Sequence, residues 1–240
     1  MQIWAHRGAS SLAPENTMAA FVKAYELGCD AVELDVHRTS DGVLVVMHDE
    51  SVMRTTEGRG YIYDMPFSAV HSLDAGYKFG QQFIGEHVPS LEEVLSFISS
   101  TNLSVNIELK SAQGRYRGIE QQILQLLDVY HMHDRTIISS FEQATLAEVR
   151  RLDDSLQIGL LCSDLRPLSP FFAKNFSAQA VHPSRKIVNP MYMRDALNLG
   201  VSVRPYTVND PDEMQRLQAW GVHAIITDYP QVAKRVLDIP

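Results

Sequence analysis

Cysteine is scarce in this sequence, with only Cys29 and Cys162 in 240 residues. The two lie far apart in the chain, and both sit among apolar neighbours. Such residues are typically small buried hydrophobic side chains. We therefore expect neither a disulfide framework nor a cysteine-based metal site.

Positive charge is also in short supply. Lys and Arg number 21 against 29 Asp and Glu, which gives a formal net charge of -8. This balance argues against general nucleic-acid binding, which requires a basic face. If the ligand is an anion, positive charge must be concentrated locally, by a metal ion or by a few placed Arg and Lys side chains.

Long apolar runs are absent as well. The longest runs have the length of a β-strand, far short of the roughly 20 residues that a membrane span needs. The first residues lack the basic start and apolar stretch of a secretory signal. We therefore expect a cytoplasmic protein without a membrane span.

The sequence does contain a regular alternation of strand-like and helical segments. The predicted strands are 3–6, 31–36, 104–110, 136–139, 157–161, 178–182, 202–208 and 224–227. The predicted helices between them include 17–27, 91–99, 118–131, 143–152, 190–199, 211–220 and 230–237. Asn16 is the predicted N-cap of the first helix, and Ser90 with Glu93 is a predicted capping box. Eight strand–helix units indicate a (β/α)8 barrel, with an open doubly wound sheet as the alternative. Since no linker divides the chain, we expect one domain over residues 1–240.

One strand-like run, residues 43–48, breaks this alternation. Only a short stretch, including Arg38-Thr39-Ser40-Asp41-Gly42, separates it from the preceding strand, too few residues for a parallel crossover. The two runs must therefore form a hairpin, and Asp41-Gly42 is a strong signal for a two-residue turn. With these residues at the centre of the turn, Asp35 faces His48. The hairpin is thus predicted to return His48 to the mouth of the barrel.

The segment 49–89 contains no clean strand–helix unit and is rich in glycine and aromatic residues. It is predicted to be an insertion over the catalytic end of the barrel, with a lid-like position.

Glu33 and Asp35 lie two residues apart on a predicted strand, so both carboxylates share one face. Two unpaired carboxylates inside a barrel would repel each other and be costly to desolvate. A hard divalent cation such as Mg²⁺ or Ca²⁺ would resolve this conflict. A solvated strand end, or a salt bridge to Arg7, explains the pair equally well.

The same spacing recurs on the next barrel strand, where Glu108 and Lys110 share a face. Glu108 could supply a third carboxylate to the same ion, and Lys110 could meet an anion beside it. An ordinary ion pair between the two is the alternative.

His6 and Arg7 close the first strand, and residues at the carboxyl ends of barrel strands line the active site. A histidine there can act as acid or base near neutral pH, and an adjacent arginine can bind phosphate oxygens with two donors. With His48 arriving by the hairpin, two histidines would flank the carboxylates. That arrangement suits in-line displacement at phosphorus.

Taken together, these segments resemble the glycerophosphodiester phosphodiesterase family, in the form of its small cytoplasmic bacterial members. The matching motifs, in the order of the family, are His-Arg-Gly-Ala (6–9), Ala-Pro-Glu-Asn-Thr (13–17), Glu-Leu-Asp-Val (33–36), Asp-Gly (41–42), Met-His-Asp (47–49), Arg-Thr-Thr (54–56), Val-Pro-Ser-Leu-Glu-Glu-Val (88–94), Asn-Ile-Glu-Leu-Lys (106–110), Ser-Ser-Phe (139–141), Thr-Val-Asn (207–209) and Ile-Thr-Asp (226–228). The resemblance spans nearly the whole chain.

The resemblance implies a (β/α)8 barrel with a small insertion after the second strand. It implies that His6 and His48 are the acid/base pair, that Glu33, Asp35 and Glu108 bind one Mg²⁺ or Ca²⁺, and that Arg7 and Lys110 contact the phosphate. Tyr206 stands where the family often has Trp, and with Phe141 it is expected to form a wall for the substrate.

The expected activity is metal-dependent hydrolysis of glycerophosphodiesters to sn-glycerol 3-phosphate and an alcohol. One alternative is action on lysophospholipids, which requires an apolar channel near the insertion. The other is a non-catalytic barrel that binds phosphate esters, although this chain retains the histidines and carboxylates that catalysis needs. We expect a monomer or homodimer that acts on a small molecule and does not bind nucleic acid.

Overall fold

Eight parallel strands form a (β/α)8 barrel in the computed structural model, which describes residues 1–110 and 114–237. The strands in this described part are β1 (Gln2–His6), β2 (Ala31–Arg38), β3 (Leu44–Val46), β4 (Ser104–Leu109), β5 (Thr136–Ser140), β6 (Gln157–Cys162), β7 (Ala180–Pro183), β8 (Ser202–Val203) and β9 (Ala224–Thr227). Their order is β8-β7-β6-β5-β4-β2-β1-β9, and β3 pairs with β2 alone. Backbone hydrogen bonds from His223 N to Val203 O and from Ile226 N to Pro205 O, each 3.0 Å, join β9 to β8. The predicted barrel is therefore confirmed.

Helices alternate with the strands around the outside of the barrel, apart from one short helix within the segment 49–89. They are α1 (Met18–Glu26), α2 (Phe67–His71), α3 (Leu91–Ser99), α4 (Ile119–Tyr130), α5 (Gln143–Leu152), α6 (Pro170–Asn175), α7 (Pro190–Leu199), α8 (Pro211–Ala219) and α9 (Pro230–Val236). Ser90 and Glu93 form the predicted capping box of α3. That local pattern fixes where α3 begins, because each side chain satisfies a backbone N–H of the other residue.

Two predicted boundaries are wrong and one helix was not predicted, each for a physical reason. Thr17 rather than Asn16 caps α1, since the Thr17 hydroxyl accepts from Ala20 N while Asn16 turns away at φ 57°. Helix α6 was missed because its 6 residues are too few to show a helical period. Regular pairing in β8 ends at Val203, shortly before Pro205, which has no N–H to donate.

The hairpin that carries His48 is present, but its predicted register is wrong by one residue. Met47 N donates to Asp35 O at 3.0 Å, so Asp35 faces Met47 and not His48. The loop holds three residues, 40–42, with Gly42 in the left-handed region at φ 92°. A glycine in this conformation is typical of three-residue hairpin loops, which the two-residue interpretation overlooked.

The segment 49–89 packs against the hairpin through a small apolar cluster of its own. Buried members of this cluster are Val45, Met47, Val52, Ile62, Val70, Ala75 and Val88. Apart from α2 the segment holds only single helical turns, as expected of an insertion after β2. Its lid-like role, and the organisation of the whole chain as one domain, stay predictions.

Cys29 and Cys162 are both buried free thiols, in agreement with the sequence-based expectation. Within residues 1–110 and 114–237, no helix has the length and apolar character to cross a membrane. The cytoplasmic location stays a prediction.

One part of the barrel interior is packed around the fully buried ring of His182. The ring lies edge-on to Trp4 at 5.8 Å between centroids, and its Nε2 lies 3.3 Å from Nη1 of Arg204. Burial, reinforced by the charge of Arg204, lowers the pKa of His182 well below its usual value, so the ring stays neutral. Gly159 makes room for it, because a Cβ there would lie 2.6 Å from His182 Nε2.

We therefore expect Gly159→Ala to lower the free energy of unfolding by about 1–3 kcal/mol, the usual cost of overpacking. Urea denaturation measures this change. The matched control is the same substitution in a His182→Ala background, where the double variant should lose less than the sum of the single losses. Additive losses would show that the contact with His182 is not the cause.

Candidate active site

Three buried carboxylates meet at the carboxyl ends of two neighbouring strands. Glu33 and Asp35 project from β2 into the barrel, and Glu108 lies opposite Asp35 on β4. One oxygen from each residue lies within 4.8 Å of the others. The side chains are nearly inaccessible, with residue exposures of 4%, 1% and 8%. The spacing of two residues thus produced the shared face that the sequence predicted.

The pKa shifts of these carboxylates show that the nearby cations of the protein do not fully neutralise them. Burial, with the negative charge of Asp35 beside it, raises the pKa of Glu33 to about 8. Burial likewise raises the pKa of Glu108. Burial would raise the pKa of Asp35 too, but Lys110 and Arg7 outweigh it and hold that pKa well below its usual value. With the protein's own cations alone, simultaneous ionisation of all three groups is therefore unfavourable.

Lys110 and Arg7 supply the positive charge nearest to the carboxylates. Lys110 Nζ lies 2.8 Å from Asp35 Oδ1 and also pairs with Glu108. Arg7 Nε lies 3.5 Å from Asp35 Oδ2, and its Nη1 donates to Glu15 at 2.8 Å. Both cations are mostly buried, so an anion entering the cavity would meet them with little intervening water.

The backbone around Arg7 is held in an uncommon conformation. Arg7 adopts φ 57°, in the left-handed region, and its N–H donates to Glu33 Oε2 at 3.0 Å. Asn16, also at φ 57°, donates its backbone N–H to Arg7 O and its Nδ2 to Asp35 Oδ2 at 2.9 Å. Such strain persists only where surrounding contacts fix it, and here those contacts are to two of the clustered carboxylates.

Each candidate catalytic histidine has a carboxylate on its Nδ1. His6 Nδ1 lies 2.6 Å from Asp228 Oδ1, and His48 Nδ1 lies 2.5 Å from Asp49 Oδ1. Because a carboxylate accepts only, Nδ1 carries the proton and Nε2 of the neutral ring is left to exchange protons. Burial lowers the pKa of His6, but Asp228 and Glu33 outweigh it and raise that pKa. Burial, with Lys110 and Arg7 nearby, lowers the pKa of His48.

The residues that position these histidines were not assigned a role from sequence. Asn209 Nδ2 donates to Asp228 Oδ2 at 2.7 Å, and Asn209 Oδ1 accepts from Asp228 N at 3.0 Å. On the other side, Arg54 Nε donates to Asp49 Oδ2 at 2.6 Å. Most of these residues end motifs that were visible in the sequence, but only their contacts across the fold reveal what they do.

His37 fixes the main chain at His48. Its ring is buried between the hydroxyl of Tyr116, at 2.9 Å from Nδ1, and the carbonyl oxygen of His48, at 3.0 Å from Nε2. Nε2 donates to the carbonyl, so Nδ1 accepts from Tyr116 in the neutral ring. Burial lowers the pKa of His37 to about 4, which keeps the ring in this neutral form. The hairpin therefore delivers His48 to the mouth of the barrel in spite of its changed register.

A cavity of about 160 Å³ joins these groups. Of the sequence-predicted site residues, it is lined by His6, Arg7, Glu33, His48, Glu108, Lys110, Phe141 and Tyr206. Asp35 is buried behind the others. The rings of Phe141 and Tyr206 meet edge to face at 6.2 Å at the cavity, and their role as a wall for the substrate stays a prediction. The structure thus brings all nine predicted residues together.

The carboxylates of Glu33, Asp35 and Glu108 fit a hard divalent cation. They offer three oxygen donors at close range, and oxygen is the ligand that Mg²⁺ and Ca²⁺ prefer. Burial, together with the charge of Asp35, raises the pKa values of Glu33 and Glu108, and a bound cation would offset both effects. The site therefore has the donor chemistry of a cation site.

Fold and site together define a barrel enzyme whose polar centre lies at the carboxyl ends of the strands. The sequence profile of the glycerophosphoryl diester phosphodiesterase family matches residues 6–232. The chain belongs to this family.

Individual relatives agree over almost the full length. A glycerophosphodiester phosphodiesterase of Caldanaerobacter subterraneus subsp. tengcongensis is 42% identical over 229 residues, covering 95% of this chain and 93% of that relative. A glycerophosphodiester phosphodiesterase of Bacillus subtilis is 34% identical, and the match covers 97% of this chain and 85% of that relative. Among solved structures, an Oleispira antarctica phosphodiesterase in complex with the product sn-glycerol-3-phosphate has a TM-score of 0.94 at 30% identity, covering 99% and 97% of the two chains. The family resemblance seen in the motifs is confirmed.

If the carboxylates bind a cation, removal of one carboxylate should stabilise the fold when the cation is absent. The same change should reduce the stabilisation that the cation gives when it is present. In chelator, Glu33→Gln should unfold at a higher temperature than the wild type, because a neutral amide avoids the cost of burying a carboxylate beside Asp35. Saturating Mg²⁺ or Ca²⁺ should stabilise the wild type, by about 2.7 kcal/mol at 100 times Kd, and the variant much less. Scanning calorimetry measures both effects.

The matched control is Glu26→Gln, which removes a carboxylate that pairs with Lys23 on the exposed face of α1. This variant should respond to the cation as the wild type does. Equal stabilisation of the wild type and Glu33→Gln would contradict the assignment of Glu33 as a ligand.

Proposed function

We propose that the protein is a metal-dependent phosphodiesterase that hydrolyses glycerophosphodiesters to sn-glycerol 3-phosphate and an alcohol. The observation that carries the proposal is the cavity in which two carboxylate-oriented histidines face three clustered carboxylates beside Arg7 and Lys110. At about 160 Å³ it suits a small polar ligand and lies below the ~300 Å³ of sites for drug-sized ligands. The Oleispira antarctica relative, with sn-glycerol-3-phosphate bound, supports this substrate class.

Glu33, Asp35 and Glu108 would hold the divalent ion. When bound, such an ion neutralises charge on a phosphate oxygen and acts as a Lewis acid. Arg7 and Lys110 would bind the remaining non-bridging phosphate oxygens. Their positive charge stabilises the transition state, in which negative charge on these oxygens increases.

His6 and His48 are proposed as the acid/base pair. Nε2 of one histidine takes the proton from the attacking hydroxyl as the new P–O bond forms. Nε2 of the other donates a proton to the alcohol oxygen as the old P–O bond breaks, so the alcohol leaves neutral. Asp228 and Asp49 keep the two rings in the tautomer that this exchange requires. The attacking hydroxyl belongs either to water or to C2 of the substrate glycerol, and the second route passes through a cyclic phosphate.

The aromatic residues Phe67, Tyr77, Phe79 and Phe83 of the insertion do not line the cavity, which therefore lacks the apolar channel that a lysophospholipid needs there. The geometry therefore favours glycerophosphodiesters over lysophospholipids.

The direct test is release of glycerol 3-phosphate from glycerophosphocholine with and without EDTA. Chelation should abolish the reaction, because the clustered carboxylates then lack the cation that neutralises them. Separate additions of excess Mg²⁺ and Ca²⁺ should identify the ion that restores it. Full activity in the chelator would exclude the cation from the mechanism.

The roles of the histidines can be tested through Asp228. Asp228→Asn should lower kcat by about 10–100-fold with little change in KM, since an orienting group is lost but the phosphate contacts remain. His6→Ala should lower kcat at least as far. Steady-state kinetics on glycerophosphocholine measures both variants.

Asp153→Asn provides the control, because Asp153 lies 3.1 Å from Nδ1 of His133, away from the cavity. Its kcat should stay within twofold of the wild type. Unchanged turnover in Asp228→Asn would remove the positioning role of Asp228, and unchanged turnover in His6→Ala would overturn the acid/base assignment.

A further inference from the structure

A second cavity, of about 300 Å³, lies against the wall of the first. The two cavities share Phe141 and Leu161 as lining residues. The cavity between the histidines has room for the glycerophosphate part of a substrate, so the alcohol on the far side of the phosphorus needs separate space. The adjoining cavity offers that space one side chain away.

A further cavity, of about 230 Å³ beside Glu15 and Arg54, is a poorer candidate. It shares no lining residue with the cavity of the histidines. Among the charges at its edge, Glu15 is already bound by Arg7 and Arg54. Its carboxylate is therefore not available to a ligand.

Two charged side chains, those of Glu142 and Arg166, line the adjoining cavity. Within residues 1–110 and 114–237, neither the carboxylate of Glu142 nor the guanidinium of Arg166 takes part in a side-chain hydrogen bond or an ion pair. Both residues line the cavity and are exposed. Between them and the phosphate site stands the ring of Phe141, which is 47% exposed.

A carboxylate next to an exposed aromatic ring is suited to a cationic group. The ammonium of an amino alcohol would pair with Glu142 and lie against the ring of Phe141, whose face attracts cations. The guanidinium of Arg166 would repel a simple cation at short range but would bind a carboxylate carried next to the ammonium. The three side chains together thus match ethanolamine-type or serine-type alcohols better than uncharged polyols.

We propose that this cavity is the leaving-alcohol subsite and selects phosphodiesters whose alcohol bears an ammonium group, with Glu142 as the ligand of that ammonium. The inference rests on the proposed hydrolase function and adds the substrate class to it. Phe141 then contacts both halves of the substrate, because it lines both cavities.

The test compares kcat/KM for glycerophosphoethanolamine, glycerophosphoserine and glycerophosphoglycerol. The wild type should prefer the two ammonium esters. Glu142→Gln should lower kcat/KM for glycerophosphoethanolamine about fivefold, the size of an exposed ion pair, and leave glycerophosphoglycerol within twofold. The fivefold difference should shrink at high salt.

Glu148→Gln is the matched control, since it makes the same charge change on α5 at a carboxylate that pairs with Arg151 outside the cavity. It should leave all three esters unchanged. Arg166→Gln separates the two kinds of alcohol: a selective loss on glycerophosphoserine identifies the serine type, and no loss identifies the ethanolamine type.

Two outcomes overturn the inference in different ways. If all three esters are hydrolysed and Glu142→Gln lowers them equally or not at all, the subsite assignment is wrong and the hydrolase function stands. If the wild type hydrolyses none of the esters in the presence of Mg²⁺ or Ca²⁺, the proposed function fails and the subsite fails with it.

Discussion

The repulsion among Glu33, Asp35 and Glu108 is the constraint on which the rest of the site depends. A parallel barrel normally fills its interior with apolar side chains, and here three carboxylates occupy that space within 4.8 Å of one another. Most of the polar groups nearby offset this negative charge, either as cations or as hydrogen-bond donors. Lys110 and Arg7 lie against Asp35, and a backbone N–H aims at Glu33. The site is therefore built around a charge imbalance that the protein itself only partly neutralises.

That imbalance also explains why positive charge is concentrated where the substrate phosphate would enter. The chain has a net charge of -8, so its overall field repels anions. Lys110 and Arg7 place positive charge at this point, because the carboxylates hold both side chains in the site. Arg7 is further tied to Glu15, which also binds Arg54 of the insertion. Through Arg54 and Asp49 the same set of ion pairs extends to His48, and it joins the insertion to the barrel.

Patterns that are local in sequence predicted much of the fold. Alternation of strands and helices gave the barrel, the two-residue spacing of Glu33 and Asp35 gave their shared face, and the capping box gave the start of α3. Each of these depends on backbone periodicity or on neighbours within a few residues. The turn at 40–42 shows where such patterns fail, because a two-residue and a three-residue loop both accept Asp-Gly and differ by one step of register.

Contacts between distant residues could not be predicted in the same way. Asn16 has the residue type of a helix cap, and nothing local shows that its amide reaches Asp35 instead. Asp228 was visible only as the end of a strand motif. Its role depends on a closed barrel, in which β9 lies beside β1. The position of Glu142 and Arg166 in one cavity is equally invisible to sequence, because lining a common cavity is a property of the assembled loops.

The pairing of His6 with Asp228 has a consequence for how the protein matures. The two residues are separated by 222 positions, and they meet only when the last strand docks against the first. During synthesis the carboxylates of β2 and β4 can assemble long before β9 leaves the ribosome. His6, however, stays unoriented until then. The contact that orients the ring of His6 therefore forms only when the barrel is complete.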